Sequence, residues 1–230
     1  MDKEISLKLP GMEDYFSQEA YKVLRTNIQF CGADVKIIAI TSVGTNEGKT
    51  TVSTHLAASL AELGKRVLLV DTDMRKSVMA ARYADLKHPM GLSELLSGQC
   101  TVTDVLFRVQ DPAMHVVFCG QYPPNPAELL ASSYFDQFLT YAREIYDYIL
   151  LDTAPLGIVV DAAVVASKCD GAVLVLGGEV RAPQAREVLD MLDKSGCKVL
   201  GAVLNQVAKK QKRYYRTYRR YSQYGETQKK

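Results

Sequence analysis

The segment Thr41–Thr51, TSVGTNEGKTT, carries glycine, lysine and threonine at a spacing that suits phosphate. Gly48, Lys49 and Thr50 match the end of the pattern G-x-x-x-x-G-K-[ST], while Val43 stands at the first glycine position. A glycine-rich turn between a buried strand and a helix aims several backbone N–H groups into one concavity. The helix N-terminus adds partial positive charge there. Lys49 would reach the β and γ phosphates of a nucleotide, and the Thr50 hydroxyl would take a Mg²⁺ position. Gly44, Thr45, Asn46, Glu47, Gly48, Lys49, Thr50 and Thr51 form the candidate cradle. Two later segments add carboxylates. LLVDTDMR places Asp71 and Asp73, and YILLDTAP places Asp152, at the carboxyl ends of apolar strands. Ligands of open parallel sheets bind at those ends. A single such Asp serves equally well as a helix cap. Three beside a phosphate loop read better as a metal and proton-transfer set, with Thr50, Asp71 and Asp152 toward Mg²⁺.

These residues need strands and helices to hold them. VKIIAITS, RVLLVD, MHVVFCG, YDYILLD, GAVLVLG and KVLGAVLN are short, continuously apolar runs. TTVSTHLAASLAELG is a helix that stops at Gly64, and PQAREVLDMLDKSG is another. GLSELLSG is a short helix, and PAELLASSYFDQFLTYAREIY holds one or two. SQEAYKVLRTNIQF repeats Ala20, Val23, Leu24 and Ile28 at helical spacing. Residues 1–14 read as a loose arm. Alternating helices and unbroken apolar strands predict an α/β fold, a mostly parallel sheet with helices on both faces.

The chain has 230 residues and a net charge of +2, but the charge is uneven. Lys209 to Lys230 hold nine Lys/Arg and one Glu, or +8; the rest holds 19 basic and 25 acidic residues, or −6. The basic end interleaves Tyr214, Tyr215, Tyr218, Tyr221 and Tyr224 with Arg213, Arg216, Arg219 and Arg220. No apolar run reaches the roughly 18 residues of a membrane span, and the N-terminus lacks an apolar signal region. Five cysteines at wide spacings lack metal-ligand or redox spacing, which favours reduced thiols and a cytoplasmic setting.

SVGTNEGKTT, LLVDTDMR and ILLDTAP, with EAYKVLRTNIQF before them and the tyrosine cluster after, resemble the bacterial tyrosine kinases. In particular they resemble the cytoplasmic kinases of capsular and exopolysaccharide synthesis in Gram-positive bacteria. The resemblance covers nearly the whole chain. It implies the MinD/ParA-like P-loop NTPase fold, with a kinase domain over residues 1–208 and a flexible tail over 209–230. It implies ATP and Mg²⁺ as cofactors, Lys49, Asp71, Asp73 and Asp152 as catalytic residues, and Asp71 as the base. Asn205 stands where the wider fold contacts adenine. Glu19, Lys22 and Arg25 match a Glu-x-x-Arg-x-x-Arg motif that builds rings; Lys22 keeps the charge but loses the bidentate fork. MinD- and ParA-type ATPases carry a second lysine where this chain has Gly44, which counts against that sub-family.

The implied activity is autophosphorylation of Tyr214, Tyr215, Tyr218, Tyr221 and Tyr224 in trans. The tail's reach is at most about 75 Å, enough to enter a neighbour's site. The implied partners are a homo-oligomeric ring, a transmembrane polysaccharide co-polymerase adaptor that activates the kinase, and a cognate tyrosine phosphatase. The adaptor would hold the chain at the inner face of the membrane. Nucleic acid is not an expected partner. The alternative is a MinD/ParA-like ATPase switch whose basic tail binds nucleic acid or anionic lipid.

Overall fold

The computed structural model describes residues 3–9 and 15–207; the tyrosine tail lies outside the described residues. The strands are β1 (Lys3–Ile5), β2 (Ile37–Ser42), β3 (Val67–Asp71), β4 (Phe107–Val109), β5 (Met114–Val117), β6 (Tyr148–Asp152), β7 (Gly171–Leu176) and β8 (Val199–Leu204). Together they form one sheet of order β1-β4-β5-β3-β6-β2-β7-β8. Neighbouring strands run parallel except β4 and β5.

One face is covered by α1 (Tyr15–Phe30), α2 (Lys49–Ala61) and α3 (Met79–Tyr83). The other is covered by α4 (Leu92–Leu96), α5 (Val102–Val105), α6 (Pro126–Ala131), α7 (Ser133–Ile145), α8 (Asp161–Ala166) and α9 (Ala182–Lys194). In β2, Ile38 and Ile40 point into the first layer, and Ile37 and Ala39 into the second. Both faces are therefore dry, which is why the strand shows no polar alternation. Eleven of the thirteen residues of α2 are buried. Its inward hydroxyls are satisfied by its own carbonyls, Ser53 on Lys49 at 2.8 Å and Thr54 on Thr50 at 2.7 Å.

The strand order sets up the site. The chain leaves β2 through α2 and returns as β3, but β3 does not lie beside β2. β6 inserts between them, pairing Asp152 with Ile40 on one side and with Asp71 on the other. The carboxyl ends of three central strands thus meet at one edge.

The expected strands and main helices are present, and the PAELL segment divides into α6 and α7 at Ser132, whose backbone is extended. The loose arm is corrected. Lys3–Ile5 pair in parallel with β4, and Leu7 is buried in the core beside α1 and α2. The strands β1 and β4 and the short helices α3, α5 and α8 were not expected. All five cysteines are free thiols. Leu7→Ala is expected to lower the unfolding free energy by about 2 kcal/mol. Chemical denaturation measures this, and an unchanged midpoint would return the segment to a loose arm.

Candidate functional site

Residues 43–48 join β2 to α2. Asn46 and Gly48 take positive φ, 61° and 87°. At Gly48 a side chain is also sterically barred, because a Cβ would lie 2.1 Å from Asn205 Nδ2. The turn is tied from within. Ser42 Oγ donates to the Gly44 carbonyl at 2.7 Å. The Glu47 carboxylate folds inward and accepts the N–H of Gly44 at 2.6 Å and of Gly177 at 3.3 Å. It is also tied from behind. Asn205 Nδ2 donates to the Glu47 carbonyl at 2.9 Å, and Gln206 Nε2 to the Asn46 carbonyl at 2.7 Å. The ends of β7 and β8 thereby hold the loop against the end of β2.

In front of the loop opens a cavity of about 370 Å³. Lys49, Thr50 and Asp73 line its polar side, and Val78, Pro155 and Ile158 its apolar side. Lys49 Nζ lies 3.2 Å from Asp73 Oδ2. Asp152 accepts from Ser53 Oγ at 2.9 Å and from the Thr50 hydroxyl. Asp71 accepts the Ser77 hydroxyl and, at 3.1 Å, the Asp73 N–H. Asp73 Oδ1 accepts the N–H groups of Lys76 at 3.0 Å and Arg75 at 3.3 Å, which shapes the turn after β3. Arg75 in turn forks onto the buried Asp161 of α8, at 2.6 and 2.9 Å.

All three site aspartates are buried. Burial pushes the Asp71 carboxyl well above the usual range, and the neighbouring Asp152 charge adds to this. Burial likewise raises Asp152 from 3.8 to about 6, against the pull of Lys49 and the Thr50 and Ser53 hydroxyls. Burial alone would lower Lys49, but Asp152, Asp73 and Asp71 together hold it above its ordinary value. The Thr50 hydroxyl with Asp152 and Asp71 is a hard oxygen set of the kind Mg²⁺ takes. Among the described residues no group of three or more His, Cys, Asp or Glu is arranged to hold a metal alone. An Mg²⁺ here needs nucleotide phosphates as further ligands.

The structure brings most of the predicted site together. Thr45, Asn46, Gly48, Thr50 and Thr51 line the cavity with Lys49 and Asp73. Gly44, Glu47 and Asn205 brace the loop, and Asp71 and Asp152 are buried at the ends of β3 and β6 without lining the cavity. Thr51 Oγ1 also meets the hydroxyl of buried Tyr83 at 2.8 Å, locking α3 to α2. Glu19, Lys22 and Arg25 lie on α1. Lys22 pairs with Glu19 at 2.7 Å, and Arg25 donates to the Ser59 carbonyl of α2 at 2.8 Å. Three contributors escaped the sequence reading. Ser53 had a signal, since it falls one helical turn after Lys49 and Thr50. Ser77 and the Arg75–Asp161 pair had none, because folding alone makes them neighbours.

The raised carboxyl of Asp152 gives a stability prediction. Between pH 3.8 and about 6 the unfolded chain ionises Asp152 before the folded chain does. Stability therefore falls as pH rises through that window, and the cost is complete above it. Asp152→Asn is expected to raise the unfolding free energy by on the order of 1–3 kcal/mol above pH 6 and to flatten the slope between pH 4 and 6. Urea denaturation across that range measures it; parallel pH profiles for the two proteins would contradict it.

Comparison with known proteins places this geometry. A family model described as AAA domain matches residues 35–185. The tyrosine-protein kinase CpsD of Streptococcus agalactiae is 43% identical over 192 residues, which is 83% of this chain and 84% of that protein. The kinase domain of the Escherichia coli tyrosine kinase ETK superposes with a TM-score of 0.80 at 34% identity, covering 84% of this chain and 76% of that one. The cell division ATPase MinD of Pyrococcus furiosus is 25% identical with a TM-score of 0.61, covering 74% of this chain and 71% of that one, a likeness of fold. With its P-loop, its buried aspartates and these relatives, the chain belongs to the bacterial tyrosine-protein kinase family, built on the MinD/ParA-like P-loop NTPase fold.

Proposed function

We propose that this chain transfers the γ-phosphoryl group of ATP to tyrosine, and that its own tail is the first acceptor, in trans. The observation that carries this reading is Lys49 held at 3.2 Å from Asp73 and electrostatically coupled to buried Asp71 and Asp152. Phosphoryl transfer needs placement and charge neutralisation more than covalent help. The loop amides and Lys49 bind and orient the phosphates. Thr50, Asp71 and Asp152 would hold Mg²⁺, which would neutralise phosphate charge. The tyrosine oxygen forms a bond to the γ-phosphorus as the bond to the ADP oxygen breaks. The phenol, with an ordinary pKa near 10, gives its proton to a carboxylate as transfer proceeds. Asp71 is that base, buried at the carboxyl end of β3 with Asp73 beside it at the cavity wall.

Asn205, already bonded to the loop, contacts the adenine edge. Exposed Lys22 and its partner Glu19 on α1 face a neighbouring subunit, with Arg25 fixing α1 to α2, so that a ring brings Tyr214, Tyr215, Tyr218, Tyr221 and Tyr224 to the next active site. No helix among the described residues is long and apolar enough to cross a membrane. Recruitment and activation accordingly fall to a transmembrane adaptor, and reversal to a cognate phosphatase. The output is control of capsular or exopolysaccharide synthesis and export.

Intact mass after incubation with ATP and Mg²⁺ tests this reading, with the adaptor's cytoplasmic segment added in a parallel sample. Mass steps of one phosphate mapping to Tyr214–Tyr224 are expected, slowed on the order of 100-fold or more in Lys49→Met. ATP consumption without added phosphate, from protein shown to be unphosphorylated at the start, would overturn it.

A further inference from the structure

Four cations line the catalytic cavity, and they are not equivalent. Lys49 is paired with Asp73, and Arg75 with Asp161. Lys76 and Arg82 line the same cavity, are solvent-exposed, and have no ion-pair partner among the described residues. Arg82 is nonetheless fixed in place. It lies 5.6 Å from the ring centroid of Tyr83, whose hydroxyl is bonded to Thr51 of the P-loop helix. Beside these cations stands an apolar wall that includes Val78, 43% exposed, and Ile158, 59% exposed. Uncommitted positive charge next to an exposed apolar wall matches a ligand that is both anionic and aromatic.

The tail supplies one. Tyr215, Tyr218, Tyr221 and Tyr224 recur every three residues. A sphere of 370 Å³ is about 9 Å across, and three extended residues span about 10 Å. A tail docked by one of these tyrosines at the mouth thus brings the next one within the cavity. Unmodified, the tail meets the mouth with Arg213, Arg216, Arg219 and Arg220, charge of the same sign as Lys76 and Arg82. Each phosphotyrosine carries about −1.5 to −2 and three strong acceptor oxygens, which reverses that sign locally.

We propose that Lys76 and Arg82, with the Val78–Ile158 wall, form a phosphotyrosine subsite at the mouth of the catalytic cavity. One phosphorylated tail tyrosine docks there and presents the tyrosine three residues away for the next transfer. The inference rests on the kinase reading above and adds an order to it: a slow first transfer is followed by faster ones, and multiply phosphorylated tails accumulate at the expense of singly phosphorylated ones.

The test uses the full chain with its five tail tyrosines changed to phenylalanine, ATP with Mg²⁺, and synthetic peptides of sequence KRYYRTYRRYSQYG. One peptide is unmodified, one carries phosphotyrosine at position 221, and one carries phosphoserine there. The phosphotyrosine peptide is expected to show a KM lower by about tenfold or more than the unmodified one, as new charge-assisted hydrogen bonds imply. The phosphoserine peptide should recover only part of that gain, because it lacks the ring. In Lys76→Ala/Arg82→Ala the ratio of the two tyrosine-peptide KM values should fall to about one, and Lys76→Arg/Arg82→Lys should restore it. Direct binding of a fluorescent phosphotyrosine peptide gives the same comparison without turnover. Transfer with a ratio near one in the parent protein overturns the subsite alone. A raised KM for ATP with the ratio intact assigns these cations to the nucleotide and also overturns it. No transfer to any peptide, with or without the adaptor segment, overturns the kinase reading and the subsite together.

Discussion

One ammonium stands against three buried carboxylates, and the rest of the fold is arranged around that imbalance. Lys49 is paired with Asp73 and feels the charges of Asp152 and Asp71. Taking such charges out of water is costly, and the cost is met only where hydrogen bonds satisfy what remains. Ser53 and Thr50 from α2 supply them to Asp152, and Ser77 and the Asp73 amide supply them to Asp71. Burial, more than the neighbouring charges, still raises the Asp71 and Asp152 carboxyls above their ordinary range. A bound cation is the natural completion of such a site. The fold thus keeps, at its most buried point, a set of charges that favours a ligand over stability.

Keeping those charges in register needs a rigid frame, and the frame is mostly apolar. Both faces of β2 are dry, and α2 is so deeply buried that its N-terminus has little freedom to drift. The P-loop is fastened at two levels, through the Glu47 carboxylate to Gly44 and Gly177 and through the Glu47 carbonyl to Asn205. The turn after β3 is fixed separately by the fork from Arg75 to Asp161. The candidate site groups of α2, β3 and β6 are therefore braced from the ends of β7 and β8 and from α8.

Much of this was legible in the sequence. The runs around Ile37–Ser42, Val67–Asp71 and Tyr148–Asp152 are largely apolar because both faces of the sheet are covered, and the last two end in Asp71 and Asp152. Lys49 and Thr50 announce themselves by chemistry and spacing. What could not be read lacks a local pattern. β1 and β4 are three residues each, too short for periodicity, and they exist because they pair with one another across some hundred residues. The Arg75–Asp161 pair is separated by 86 positions. Glu47 reads as one residue of the phosphate cradle, and only the fold shows its carboxylate turned inward to brace the loop. Arg25 reads as the last residue of a ring-building motif, yet its guanidinium donates to the Ser59 carbonyl of α2.

The insertion of β6 between β2 and β3 has a consequence for biosynthesis. The P-loop and Asp71 are made early, but they are not neighbours in the sheet. The strand that joins them, and brings Asp152, comes some eighty residues later. Because non-local strand pairing must wait for the chain that supplies it, the phosphate loop emerges from the ribosome well before its catalytic centre can assemble. A partly synthesised chain carries the phosphate-loop residues but not the full set of buried carboxylates, so the site stays incomplete until the sheet closes.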